Sequence, residues 1–344
     1  RRLFPGGKSR RALIGEATRR LAQDPRDAEA LQVLADAAFE EGDFQKAYNY
    51  YQSLLPLCPG HPDVDEFTVT LRLAQSAYNA KKLDEAYKAF QLARTLNGEN
   101  FEVNYNLGVL EYGRKNFPRA ATCLRRAAAA QPDHGPTQKY LGHSLFQMKL
   151  YPEALAALRR SLDQEPEDKA SRFALARCYS ALNQNEPALT IFSHLLTDPE
   201  FGPQAALYAG AIHSNTRQYK AAAEDFQIGL RHESLTPSVA LELKYRLAST
   251  LAKDGEVSAA LKLWKEIEAA QPGYRDVQEL LAQYQEISSN RHLQSFLLAS
   301  SADFVTLCCK ISAKYFAGAT AKLLSIFLRR AEYADVLAQV HTPQ

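Results

Sequence analysis

The chain has 344 residues, 46% of them apolar, and its 41 Lys and Arg are offset by 39 Asp and Glu. A formal charge of +2 argues against a strongly basic nucleic-acid binder and against an acidic disordered tail. Its 16 glycines fall below the usual share of about 7%, which disfavours glycine-hungry β-architectures.

The longest apolar stretches, such as Leu323–Leu328, fall far short of the roughly 20 residues that span a bilayer as a helix. No membrane span and no signal peptide is expected. The sequence opens at Arg1 and its only methionine is Met148, so a processing boundary is expected at the start. The five cysteines (Cys58, Cys123, Cys178, Cys308, Cys309) form no CxxC pair and read as small buried apolar side chains. That pattern favours a reducing compartment, the cytoplasm ahead of the periplasm.

Taken in chain order, the first twenty residues carry seven basic side chains (Arg1, Arg2, Lys8, Arg10, Arg11, Arg19, Arg20) against Glu16. A solvated chain end is favoured there over a nucleic-acid or lipid-headgroup contact. Gly7-Lys8-Ser9 resembles the tail of a phosphate-binding loop, but Arg2 stands where the leading glycine is needed. Leu13, Ala17, Leu21 and Pro25 predict one amphipathic helix.

A repeat then sets the register. Alanines stand at 47, 86, 120, 154, 188, 222 and 260, most of them 34 residues apart. Thirteen residues before each comes an apolar residue followed by Ala or Gly, from Leu34-Ala35 through Leu107-Gly108 and Leu141-Gly142 to Leu247-Ala248. Four residues after each comes a large apolar side chain: Tyr51, Phe90, Leu124, Leu158, Phe192, Phe226 and Trp264. A breaker closes most copies, at Pro59, Gly98, Pro132, Pro166, Pro199 and Pro272, whereas the sixth has Ser234. The spacing predicts two antiparallel amphipathic helices per copy, which cross closely where small residues meet.

Seven such copies over residues 28–274 resemble the tetratricopeptide repeat family. The resemblance implies an all-α, right-handed superhelical solenoid of antiparallel helix pairs. Residues 275–290 would supply the solvating helix that covers the last open face. Insertions of five and four residues separate copies one and two, and copies six and seven.

From Arg291 the register is lost. Phe304, Leu307, Cys308, Ile311 and Tyr315 predict a helix over 303–316. The runs Leu323–Leu328 and Tyr333–Val340 fit either a strand or a buried helical turn, so residues 291–344 read as a non-repeat segment, the start of a small α/β unit cut short.

Catalytic and metal signatures are weak. The eight histidines form no HxxxH or HExxH, and no GxSxG elbow occurs. Asp335 followed by Gln339-Val340-His341 loosely resembles a restriction-endonuclease-like pattern, but the gap is short and His replaces Lys. No cofactor, no metal and no small-molecule substrate are expected, and nucleic acid is disfavoured as a partner.

The family resemblance implies instead a concave groove lined by the first helix of each copy. It would present Tyr78, Asn79, Tyr105, Tyr112, Lys139, His143, Phe146, Phe173, Arg177, Asn215 and Tyr245 to a partner peptide, with Lys139, His143 and Arg177 making the middle cationic. The two-carboxylate clamp of chaperone-binding members is absent, because the relevant position reads Gln32, Leu71, Tyr105, Lys139, Phe173, Leu207, Tyr245. The expected function is therefore a non-catalytic scaffold binding a partner protein. The alternative is a regulatory region of a larger enzyme or nucleic-acid-processing protein whose active domain begins near residue 291. Array ends and the C-terminal run are natural surfaces for self-association.

Overall fold

A computed structural model describes residues 10–233, 235–289, 320–330 and 333–341, with Thr306 and Lys310 as isolated helical positions. Helix α1 (Arg10–Gln23) precedes seven pairs: α2 (Ala28–Glu40) with α3 (Phe44–Leu54), α4 (Glu66–Asn79) with α5 (Leu83–Leu96), α6 (Phe101–Gly113) with α7 (Phe117–Ala130), α8 (Gly135–Gln147) with α9 (Tyr151–Gln164), α10 (Lys169–Ala181) with α11 (Asn185–Leu195), α12 (Gly202–Asn215) with α13 (Tyr219–Leu230), and α14 (Pro237–Lys253) with α15 (Val257–Ala270). Helix α16 (Val277–Ser289) follows. The expected pairs, the preceding helix and the solvating helix are all present.

The helices start where the sequence supplies an acceptor. Asp27, Asp43, Asp65, Asn100 and Thr236 each take a backbone N–H of the first turn. Proline occupies the opening turn of α7, α8, α9, α12 and α14, where its missing N–H has no helical partner to lose.

All seven turns inside the pairs end alike. Gly42, Lys81, Lys115, Lys149, Asn183, Arg217 and Gly255 have positive φ. The next N–H reaches five residues back, as in Asp43 to the Ala38 carbonyl and Gln218 to the His213 carbonyl, at 2.8–3.0 Å. This left-handed cap satisfies the last carbonyls of the first helix and reverses the chain within three residues.

The close crossings lie where the repeat places them. The seven alanines are fully buried, and so are the large apolar side chains four residues after them, from Tyr51 to Trp264. The chain divides into two compact units, residues 1–191 and 192–344, and α11 spans the division. In the first unit α1 through α10 stack in sequence, and the first helices α6, α8 and α10 also touch one another. In the second unit α12 through α16 do the same. There α16 covers the last pair, with Val277 fully buried and the Tyr284 ring 5.1 Å from that of Trp264.

The insertions have local outcomes. The first forms a 3-10 segment at Leu55–Gly60, and the second coincides with a 17-residue α14. Strands β1 (Thr320–Arg330) and β2 (Tyr333–His341) pair as an antiparallel hairpin with irregularities at Leu323/Ser325 and Leu328/Arg330. The two ambiguous apolar runs are thus strands. The helix expected over 303–316, Cys308 and Cys309 lie outside the described residues apart from helical Thr306 and Lys310. No described helix is long and apolar enough to cross a membrane.

Candidate functional site

In the first unit, the first helices of copies two to four bring tyrosines together. Tyr78 on α4, Tyr112 on α6 and Tyr140 on α8 line a cavity of about 370 Å³ with Leu83, Val109, Leu110, Gly113 and Arg114. The Tyr112 and Tyr140 rings meet edge to face at 5.3 Å. Leu83, the first residue of α5, is 50% exposed, an unusual position for a large apolar side chain at a cavity mouth. Burial pushes the Tyr112 hydroxyl above its ordinary pKa. Arg114 is held at the rim by Asp84 at 2.5 Å and by the Tyr87 ring at 4.0 Å.

Tyr105 lies apart from this cavity, in a second aromatic group. It stacks on Phe101 at 5.9 Å and meets the His134 ring at 5.1 Å. Asn79 turns back on its own helix, donating its amide to the Gln75 carbonyl.

The residues of the expected cationic centre meet partners from adjacent copies. The Lys139 ammonium lies 2.9 Å from an Asp168 carboxylate oxygen. His143 sits against the Ser171 hydroxyl at 3.2 Å, and burial depresses its pKa, so it is neutral at neutral pH. The Arg177 guanidinium covers the Phe146 ring at 4.6 Å and lies 5.9 Å from Phe173. Phe146 itself is buried in the core. Of the three expected cations, Lys139 is thus paired and His143 neutral, while Arg177 lies over an aromatic ring. Lys139, His143, Phe146 and Arg177 make contacts within the array, because side chains on one first helix meet those of the next.

In the second unit, Asn215 on α12 and Tyr245 on α14 line one pocket of about 260 Å³. The Tyr245 hydroxyl donates to Asp276 at 2.8 Å, and its ring packs on Tyr274 at 5.9 Å and under the Arg275 guanidinium at 4.7 Å.

Sequence reasoning missed Tyr140, Leu83, Asp168 and Arg275. Tyr140 stands beside Lys139 on the side of α8 turned to the preceding copy, and its aromatic character was the available signal. The other three had none, since each matters only through a neighbour from another helix. Among the described residues no group of three His, Cys, Asp or Glu side chains could hold a metal ion. The described thiols Cys58, Cys123 and Cys178 are free and buried, and burial pushes the Cys178 thiol up to about 12.

Three segments, residues 7–62, 71–134 and 145–211, match family models described as tetratricopeptide repeat, together more than half of the chain. No curated protein matches the sequence significantly. Among solved structures, the chain is similar to the C-terminal part of a TPR repeat-containing protein from Cytophaga hutchinsonii, at 14% identity and a TM-score of 0.52, covering 72% of this chain and 98% of that one. It is also similar to a tetratricopeptide repeat protein from Parabacteroides merdae, at 16% identity and a TM-score of 0.44, covering 75% and 98%. YrrB, described as a TPR protein with an unusual peptide-binding site, is 18% identical with a TM-score of 0.48, covering 58% and 99%. Such low identities bear on the fold alone. With seven helix pairs in register and the family models matching from the first pair into the sixth, the chain belongs to the tetratricopeptide repeat family, a fold that serves as a scaffold for protein–protein interaction.

Proposed function

We propose that the protein is a non-catalytic scaffold whose first unit holds a segment of a partner polypeptide on the face built by its first helices. The observation that carries this reading is the cavity of about 370 Å³ between Tyr78, Leu83, Tyr112 and Tyr140. Tyrosines supply large contact area at small entropic cost, and a desolvated pocket is where interfaces concentrate their binding energy. The occupant is an apolar side chain of the partner. Tyr105, Lys139, His143, Phe146, Phe173 and Arg177 do not line this cavity and need not touch the partner.

Selection of peptides from a random library on the immobilised chain tests this. Recovered peptides should share a large apolar anchor, and Tyr112→Ser with Tyr140→Ser should abolish their capture while circular dichroism stays helical. Equal capture by the double variant rejects the cavity.

The β-hairpin at 320–341 favours one rival reading, a regulatory array preceding a catalytic domain that begins near residue 291. That reading requires further strands bearing an acidic–lysine pair beyond Gln344. A reading frame that closes without them removes it.

A further inference from the structure

The pocket in the second unit has a different character from the tyrosine cavity. Three cations line it, Arg246 and Lys253 on α14 and Arg275 just before α16, and no carboxylate does. Two of them are tied to one acid: Glu242 accepts from Arg246 Nε at 2.6 Å and from Arg275 at 2.5 Å. Burial pushes the Glu242 carboxyl up, yet Arg246, the hydrogen bond donated by the Tyr274 hydroxyl and the charge of Arg275 together outweigh it and hold it below its ordinary range. One carboxylate thus orients two guanidiniums while leaving most of their N–H donors uncommitted. Arg275 is further fixed by the rings of Tyr245 and Tyr274, at 4.7 and 5.3 Å. The neighbouring Asp276 accepts from Tyr245 and does not line the pocket. Lys253 makes no ion pair among the described residues, and Ser214 and Asn215 add polar groups to the same wall.

We propose that this pocket binds the phosphate of a phosphorylated side chain in a partner polypeptide. The proposal shares the scaffold premise above but not the tyrosine cavity, so each can fail alone. An excess of cationic charge around a space of about 260 Å³ suits a group, not a whole ligand. A phosphate monoester carries about −1.5 to −2 and three strong acceptor oxygens, which fits three cations better than the single charge of a carboxylate. Pre-oriented guanidiniums lose little freedom on binding, which favours a built site over chance attraction.

The test uses the full chain and a degenerate peptide pool with one fixed phosphoserine, alongside pools with Ser or Glu at that position. The phosphoserine pool should be retained and the Ser pool should not. Lys253→Ala should weaken retention about tenfold, the loss of one charge-assisted hydrogen bond, and Ser214→Asp should abolish it by placing an acid in the pocket. The melting temperature of Lys253→Ala should not change, because Lys253 is exposed and makes no ion pair among the described residues. Equal retention of the Ser pool overturns the proposal, as does unchanged binding by Lys253→Ala. Equal retention of the Glu pool reassigns the pocket to carboxylates, and displacement by inorganic phosphate at the peptide's own concentration reassigns it to a free anion. Either result overturns the proposal. Tyr112→Ser with Tyr140→Ser should leave phosphoserine retention intact.

Discussion

Lys139 on α8 and Asp168, the residue before α10, form an ion pair at 2.9 Å across 29 positions of sequence. Asp168 also accepts from the Ser171 hydroxyl at 2.6 Å. Burial pushes its carboxyl up, but Ser171 and Lys139 outweigh this and hold it below its ordinary range. The pair fastens one copy to the next. Lys139→Met should therefore lower stability by about 1 kcal/mol, since the carboxylate it leaves behind is only 12% exposed. Urea unfolding of Lys139→Met, Asp168→Asn and the double variant checks it; additive effects would show that the pair is not coupled.

A second expectation concerns the crossings. A Cβ added to Gly142 would fall 2.7 Å from Leu158 Cγ, and one added to Gly108 2.5 Å from Leu124 Cγ. Gly142→Ala should cost about 1–3 kcal/mol by overpacking. Leu158→Val in the same chain should recover part of the loss. Thermal unfolding of the single and double variants measures both effects.

The turn caps give the opposite sign. Lys149 holds φ 60° where only glycine is unstrained, and Gly255 occupies the equivalent place with φ 92°. Lys149→Gly should raise stability by up to about 1 kcal/mol, because the left-handed conformation costs a side chain about that much. Gly255→Ala should lower it. Chemical denaturation midpoints of the two variants are expected to move in opposite directions.

Two histidines make stability depend on pH. Burial lowers the pKa of both His134 and His143 below 6.5. His134 accepts the Thr137 N–H on Nδ1 at 3.2 Å as the cap of α8, a role that only the unprotonated nitrogen can fill. His143 faces Ser171, Asp168 and Lys139. Below pH 6.5 the unfolded chain binds more protons at these sites than the folded one, so stability is full above 6.5 and is lost as pH falls toward the depressed values. The urea midpoint should drop between pH 7.5 and 5.5, and His134→Asn with His143→Gln should flatten that dependence. An unchanged slope in the double variant would assign it to other groups.

The sequence by itself determined the helix pairs, their turns, the buried alanines and the helix that closes the array. Each of these is set by interactions within about forty residues that recur in register, so the period records them directly. The site was legible only in part. Tyr78, Tyr112, Asn215 and Tyr245 line the two pockets, while Lys139 is paired with Asp168, His143 is neutral and Arg177 lies over Phe146. Only the tertiary structure decided that. Asp168 reaches Lys139 and Phe146 takes up Arg177 from the next copy, and Arg275, just before α16, reaches Glu242 on α14, because residues of successive copies come within contact distance. Whether a polar side chain is spent inside the array or left for a partner depends on the neighbour it meets, and for Lys139, His143 and Arg275 that neighbour belongs to another element, outside any single helix's own pattern.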